Sequence, residues 1–163
     1  MERGVTVWLT SASGAAAREM AALVAEALAE RELPVELLHA ERPGCAWIGD
    51  PRGFATVAAL LGARGVWCVV AEADASRAMR ENARSHVGAL IEVLVVTDAP
   101  AGPAWQAPPQ AEAEVDAAHP GAGVSRVLRT LEVLGYLRPR EDQAYSTEEE
   151  REVIKRLKAF GYM

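Results

Sequence analysis

Lysine is nearly missing from this chain. Of 163 residues only Lys155 and Lys158 are lysines, so the body of the protein has only arginine for a permanent positive charge. The preference for arginine and alanine over lysine and isoleucine reads as genome composition rather than mechanism. Cysteine is scarce too. Cys45 and Cys68 are too few and too differently placed for a disulfide framework, and Cys68, inside an apolar run, reads as a small buried hydrophobe. A reducing cytoplasm is the expected compartment. No run approaches the ~20 apolar residues of a membrane span, and no leader is expected before the first strand, so no membrane partner is expected. Positive charge is not in excess either. The formal net charge of −6 argues against a nucleic-acid partner. The three histidines are scattered, and no metal set is expected. No internal repeat is visible. What remains is a half-hydrophobic chain of a length that suits one domain around one core.

The apolar pattern alternates strand and helix. Val5–Thr10 reads as a buried strand, Ala15–Arg31 as a helix with a stripe at Met20, Leu23, Val24 and Leu28, and Pro34–Leu38 as a short second strand. Cys45–Gly53 reads as loop, with Gly49, Pro51 and Gly53 as breakers. Phe54–Ala63 is helical and closed by Gly65. Val66–Ala71 is a continuous apolar run, as in a parallel strand covered on both faces. A helix capped by Asp74 runs to Ser85, and Leu90–Val96 is another covered strand. Asp98–Pro109 is irregular, Glu112–Asp116 a short edge strand and Val124–Leu134 a helix. This order predicts an α/β fold, three-layer α/β/α with a mainly parallel sheet. Residues 1–137 form the domain. Residues 138–163 hold a polar linker and an amphipathic C-terminal helix. A capping box from Ser146 with Glu149, or Thr147 with Glu150, opens that helix, and Val153, Ile154, Leu157 and Phe160 line one side.

Val5 to Met20 is built like a phosphate-binding strand–loop–helix. In the pattern G-x-x-x-x-G-K-[ST] a lysine reaches the β/γ-phosphates and a hydroxyl binds Mg²⁺. Here those two positions are Ala17 and Arg18. One reading keeps a residual anion or nucleotide site at Ser11, Ser13, Gly14, Ala15, Ala16, Ala17 and Arg18, because amides at a helix N-terminus attract phosphate or sulfate without a lysine. The preferred reading is a turn kept only because the fold needs it. Arg18 points ~100° round the helix from where a lysine would sit, and Ser11 in place of glycine stiffens the loop.

The stretch G-V-T-V-W-L-T at Gly4–Thr10, followed by S-A-S-G-A at Ser11–Ala15, resembles the start of the adenylylsulfate kinases, V-W-(L/F)-T-G-L-S-G-A-G-K-(S/T)-T. The likeness continues in order to Leu137. It runs through A-L-L-G-A-R-G-V-W-C-V-V-A at Ala59–Ala71 and the arginine spacing of Arg77, Arg80 and Arg84. Then come G-A-L-I-E-V-L-V at Gly88–Val95 and W-Q-A-P-P-Q-A-E-A-E-V-D at Trp105–Asp116. The resemblance implies a P-loop NTPase-like fold, an ATP- and Mg-dependent phosphotransferase ancestry and a homodimer. The departures fall on the family's functional positions. Its first and third loop glycines are Ser11 and Ala16, its lysine is Ala17, and its D-G-D is His39-Ala40-Glu41. Its D-R-x-x-N falls at Ala46–Asp50, with Trp47 at the arginine, and its I-S-P becomes Ala73-Asp74-Ala75. T-D-A-P-A-G-P-A stands where the basic lid belongs. Phosphoryl transfer depends on positioning and charge neutralisation. The expectation is therefore no catalytic residue, no cofactor and no tight binding of ATP/Mg.

Several residues remain candidates for the ligand crevice. His39 and Glu41 stand at the end of the second strand, on one face if that strand continues, and read either as an acid/base or ligand pair or, preferably, as surface polar residues. Arg77 and Arg80 read equally as an anion contact and as a solvated face paired with Glu81, while Arg84 is assigned to that face. Glu36 and Glu92 are assigned structural or solvent-facing roles. Trp67 is assigned to the core. Trp105 is placed to cover the crevice, and Trp47 either fills a vacated pocket or meets a partner. The C-terminal helix docks on its own domain, on a second copy or on another protein, and Y-S-x-E-E-E…R-L-K-A-x-G-Y resembles a short tail ending various sulfatase-like and other bacterial proteins. The expected function is a catalytically inactive binding, scaffold or regulatory module linked to sulfur metabolism. The alternatives are an enzyme that binds a nucleotide or adenylylsulfate with altered catalytic residues, and a regulatory subunit in a mixed dimer with an active kinase.

Overall fold

Thr6–Ser11 (β1) is buried at every position, the signature of a strand with neighbours on both edges and helices on both faces. In the computed structural model, which describes residues 3–45, 48, 51–72, 76–103, 105–140 and 146–162, β1 sits at the centre of a parallel sheet. Its neighbours are β3 (Trp67–Glu72) and β4 (Leu90–Val96), with β2 (Val35–Leu38) and β5 (Ala113–Asp116) at the edges, in the order β2-β3-β1-β4-β5. The helices are α1 (Gly14–Ala29), α2 (Pro51–Gly62), α3 (Arg77–His86), α4 (Pro120–Val133) and α5 (Thr147–Ala159).

Strand alternation divides the core in two. Val7, Leu9, Val69, Ile91 and Val93 face α1 and α4, and pack against Met20, Val24, Leu28, Val127 and Leu131. Trp8, Val70 and Leu90 face α2 and α3, and pack against Phe54, Ala58 and Ala83. Trp67 is buried, as expected. The predicted three-layer α/β/α fold is what the chain adopts. Among the described residues no helix is long and apolar enough to cross a membrane.

Three local expectations are corrected. Pro51 does not break the chain but opens α2, where its missing N–H has no partner to lose. Gly53 lies inside α2 because the preceding loop presses on it: a Cβ there would stand 2.5 Å from the Ile48 carbonyl oxygen. The N-cap of α3 is Ser76, whose hydroxyl accepts from the Met79 amide, and Asp74 lies outside the described residues.

The ends of the last two helices echo one another. The last turns of α4 and α5 share the pattern V-x-x-x-L-x-x-x-G-Y, from Val127 to Tyr136 and from Val153 to Tyr162. Val127, Leu131, Val153 and Leu157 are all buried. Gly135 (φ 78) and Gly161 (φ 83) both take the left-handed conformation. Tyr136 N donates to Leu131 O at 2.9 Å, and Tyr162 N to Leu157 O at 3.1 Å, the six-to-one closure of a Schellman end. One helix-length echo is too short to register as a period. A Cβ at Gly135 would meet nothing within 4 Å, so Gly135→Ala isolates backbone strain. It is expected to cost about 1–2 kcal/mol in urea unfolding.

The C-terminal helix docks on its own domain. Val153 and Leu157 fill the contact with α4, Arg126 pairs with Glu152 at 3.0 Å, and Arg129 pairs with Glu150. Its last turn reaches the chain that enters β5: Arg156 Nε donates to Ala111 O at 2.8 Å and the guanidinium pairs with Glu114 at 3.3 Å.

Candidate functional site

In an open parallel sheet the ligand crevice lies above the carboxyl ends of the strands, where the strand order reverses, here around the end of β1. Only Ala12 and Ser13 separate β1 from α1. Ser13 is the N-cap, and its hydroxyl accepts from Ala16 N at 3.3 Å. Its carbonyl accepts from Ala17 N at 3.1 Å, and Ser11 Oγ accepts from Ser13 N at 3.2 Å. Three amides of the turn are therefore already taken. Ala17 is fully buried and belongs to the α1-side core, so the position of a phosphate-binding ammonium holds a packed methyl. Gly14, Ala15 and Ala16 form the first turn of α1.

Arg18, the next residue, turns sideways and pairs with Glu41 at 3.2 Å. β2 ends at Leu38, and the chain folds into a turn in which Arg42 N donates to His39 O at 3.1 Å. The strand does not continue, so His39 and Glu41 do not share a strand face. The structure instead joins Glu41 to Arg18 and sets His39 beside both. Burial first, then the charge of Arg18, holds the His39 imidazole below its ordinary pKa, so the ring is neutral at pH 7. Its Nδ1 is buried without a hydrogen-bond partner. Glu36 pairs with Arg42 at 3.0 Å near the surface. Among the described residues no three His, Cys, Asp or Glu side chains gather as metal ligands. Cys68 is an inert thiol: burial, then the charge of Glu36, pushes its pKa up to about 12.

The arginines of α3 separate. Arg77 pairs with Glu81 at 2.8 Å in solvent, as one reading expected, and its amide donates to Gln106 Oε1 at 3.2 Å. Arg80 is buried, 2% exposed, and donates to Gln106 O. Burial lowers its pKa. Arg84 does not join the solvated face with Glu81. It reaches down to the sheet, pairing with Glu112 at 2.8 Å and Glu92 at 3.5 Å. Burial opposes the Arg84 charge, but hydrogen bonding and charge from Glu112 raise the guanidinium above its ordinary pKa. Glu92, mostly desolvated, is held above the usual carboxylate range. Trp105, half-buried, precedes the Gln106 that α3 grips, and its indole Nε1 has no partner. Trp47, Asp50 and Ala73–Ala75 lie outside the described residues.

Sequence reasoning missed Gln106, Glu112, Arg156 and Tyr162. Tyr162 donates its hydroxyl to Glu112, whose second oxygen accepts from Glu92 N at 2.7 Å. The expected edge strand Glu112–Asp116 included Glu112, but β5 begins at Ala113, and nothing local marked Glu112 as buried; the echo of α4 in α5 was the available signal for the tail.

No family model matches the chain. It is 28% identical to an adenylyl-sulfate kinase of Gloeothece citriformis (strain PCC 7424), across 84% of this chain and 99% of that protein. It is 36% identical to an adenylyl-sulfate kinase of Synechococcus sp. (strain JA-2-3B'a(2-13)), across 60% of this chain and 61% of that protein. Among solved structures, a hexameric APS kinase from Thiobacillus denitrificans matches with a TM-score of 0.71 and 27% identity, over 85% of this chain but 31% of the longer one. A Mycobacterium tuberculosis APS kinase shares the fold at 21% identity and a TM-score of 0.63, over 81% of this chain and 99% of that one.

Proposed function

We propose that this chain, a relative of the adenylyl-sulfate kinases with their nucleotide-kinase-like fold, has given up phosphoryl transfer and serves sulfur metabolism as a binding, scaffold or regulatory module. The observation that carries this reading is the buried Ala17 methyl at the head of a self-capped turn. Transfer of a γ-phosphoryl group requires fixed positive charge against the phosphate oxygens. Here the adjacent guanidinium, Arg18, is engaged by Glu41, and three amides of the turn are spent on Ser11 and Ser13. These residues do not fit a Mg-nucleotide. The T-D-A-P-A-G-P-A segment in the lid's place carries no basic residue, which supports the same conclusion.

With ATP, Mg²⁺ and adenylylsulfate, a coupled ADP-release assay is expected to show no turnover above the enzyme-free rate. Sustained ADP release would overturn the proposal. Calorimetry with ATP, ADP and adenylylsulfate at millimolar concentration is expected to show no heat of binding. A real binder at 100 times its Kd would instead raise stability by about 2.7 kcal/mol in a thermal shift. The hexameric state of the Thiobacillus protein supports self-association here as well, and sedimentation equilibrium is expected to give a mass above the monomer. A partner docked through the apolar side of α5 is not part of this reading, because Val153 and Leu157 are already spent on the domain itself.

A further inference from the structure

Between β4 and β5 the chain crosses α3 as a strap, and both ends of residues 105–112 are fastened. From one side α3 holds it: the Arg77 amide and the Arg80 guanidinium grip Gln106, and Arg84 donates to Gln110 O at 3.4 Å. From the other side the C-terminal segment holds it. Arg156 Nε donates to Ala111 O at 2.8 Å, and the Tyr162 hydroxyl donates to Glu112. Glu112 is the shared node, since Arg84 binds its other oxygen at 2.8 Å. Beneath the strap lies a cavity of about 240 Å³ lined by Arg77, Arg80 and Arg84 together with Glu81, Glu92, Pro109 and Gln110.

We propose that the C-terminal segment is the lock of this strap: docked, Arg156 of α5 and Tyr162 just beyond it keep residues 105–112 over the cavity that three arginines share with Glu81 and Glu92, and undocked, they free them. The fastening is mostly polar. Two buried apolar residues, Val153 and Leu157, are set against the Arg126–Glu152, Arg129–Glu150 and Arg156–Glu114 pairs. Such contacts are individually weak, so the helix can leave at a cost well below global unfolding. Because Arg84 of α3 and Tyr162 at the end of the C-terminal segment hold the same carboxylate, loosening one loosens the grip of the other.

Amide hydrogen exchange on the full chain tests this. Tyr162→Phe combined with Arg156→Gln is expected to speed exchange at least tenfold in both α5 and residues 105–112, with β1 unchanged. Faster exchange in α5 alone, or in neither, overturns the proposal. If the double variant also loosens β1, Tyr162→Phe alone decides, because it removes one hydroxyl and leaves the fold intact. The same two outcomes then apply. Acrylamide quenching of Trp105, in a chain whose other tryptophans are Phe, is expected to rise with the exchange.

Discussion

Replacing Arg84 by leucine is expected to destabilise the protein by about 3 kcal/mol, because it takes a partly exposed guanidinium from two buried carboxylates. Glu112 and Glu92 have side chains only 1% and 7% exposed, and Arg84 is the guanidinium that bonds to both. Leucine covers the aliphatic contact but leaves two desolvated carboxylates without the guanidinium they share. The pH dependence identifies the cause. Glu92 already binds its proton more tightly in the folded chain than an ordinary carboxylate does, because of burial. Its contribution is therefore most favourable below the ordinary carboxylate pKa and is lost as pH rises through the higher folded-state value. Removing Arg84 strengthens that tendency, so the deficit in urea unfolding is expected to be largest at pH 7 and to shrink on acidification. A deficit independent of pH would mean that lost packing, not charge, is responsible. Glu92→Gln is expected to be near neutral or stabilising at pH 7, because it removes the carboxylate whose charge is penalised while Glu112 keeps Arg84.

The second large effect is at Gly4. A Cβ there would stand 1.9 Å from the Val66 carbonyl oxygen and 2.4 Å from its carbon, both backbone atoms. No rotamer relieves the clash. Gly4 N also donates to Gly62 O at 2.9 Å, so the start of β1, the end of α2 and the entry to β3 meet at this point. Gly4→Ala is expected to cost about 3 kcal/mol or more, which in a chain of this size lowers Tm by roughly 6–12 °C. Gly121→Ala is the control. It lies in the first turn of α4 with nothing within 4 Å of the added methyl, and is expected to be neutral or to stabilise by up to about 1 kcal/mol. If calorimetric scans show Gly4→Ala melting with the parent, the close approach at Val66 is not a constraint on this fold.

The sheet was legible because period carries it. The covered runs at Thr6–Ser11, Trp67–Glu72 and Leu90–Val96 announce central parallel strands, and the stripe from Met20 to Leu28 a helix on them. Boundaries slipped where one residue serves two purposes: Pro51 is a breaker in the middle of a helix and a good first residue at its start. The site was legible only as substitutions. The missing lysine could be read from the chain, but not that Ala17 would pack into the core or that Ser13 would close the turn on itself, since those follow from how α1 seats on β3 and β1. The spacing of Arg77, Arg80 and Arg84 gave one helix face, whereas the Arg77 side chain pairs in solvent, Arg80 grips Gln106, and Arg84 reaches Glu92 and Glu112. That division depends on Gln106 and Glu112, which are distant in sequence and approach only through the parallel crossover.

Both ε-amines of the chain, Lys155 and Lys158, stand exposed one turn apart on the outward side of α5. Apart from the terminal amine, an amine-directed dye, cross-linker or resin will therefore attach to this helix and nowhere on the sheet or its other helices. A label placed that way reports on the tail's position without altering the body of the protein.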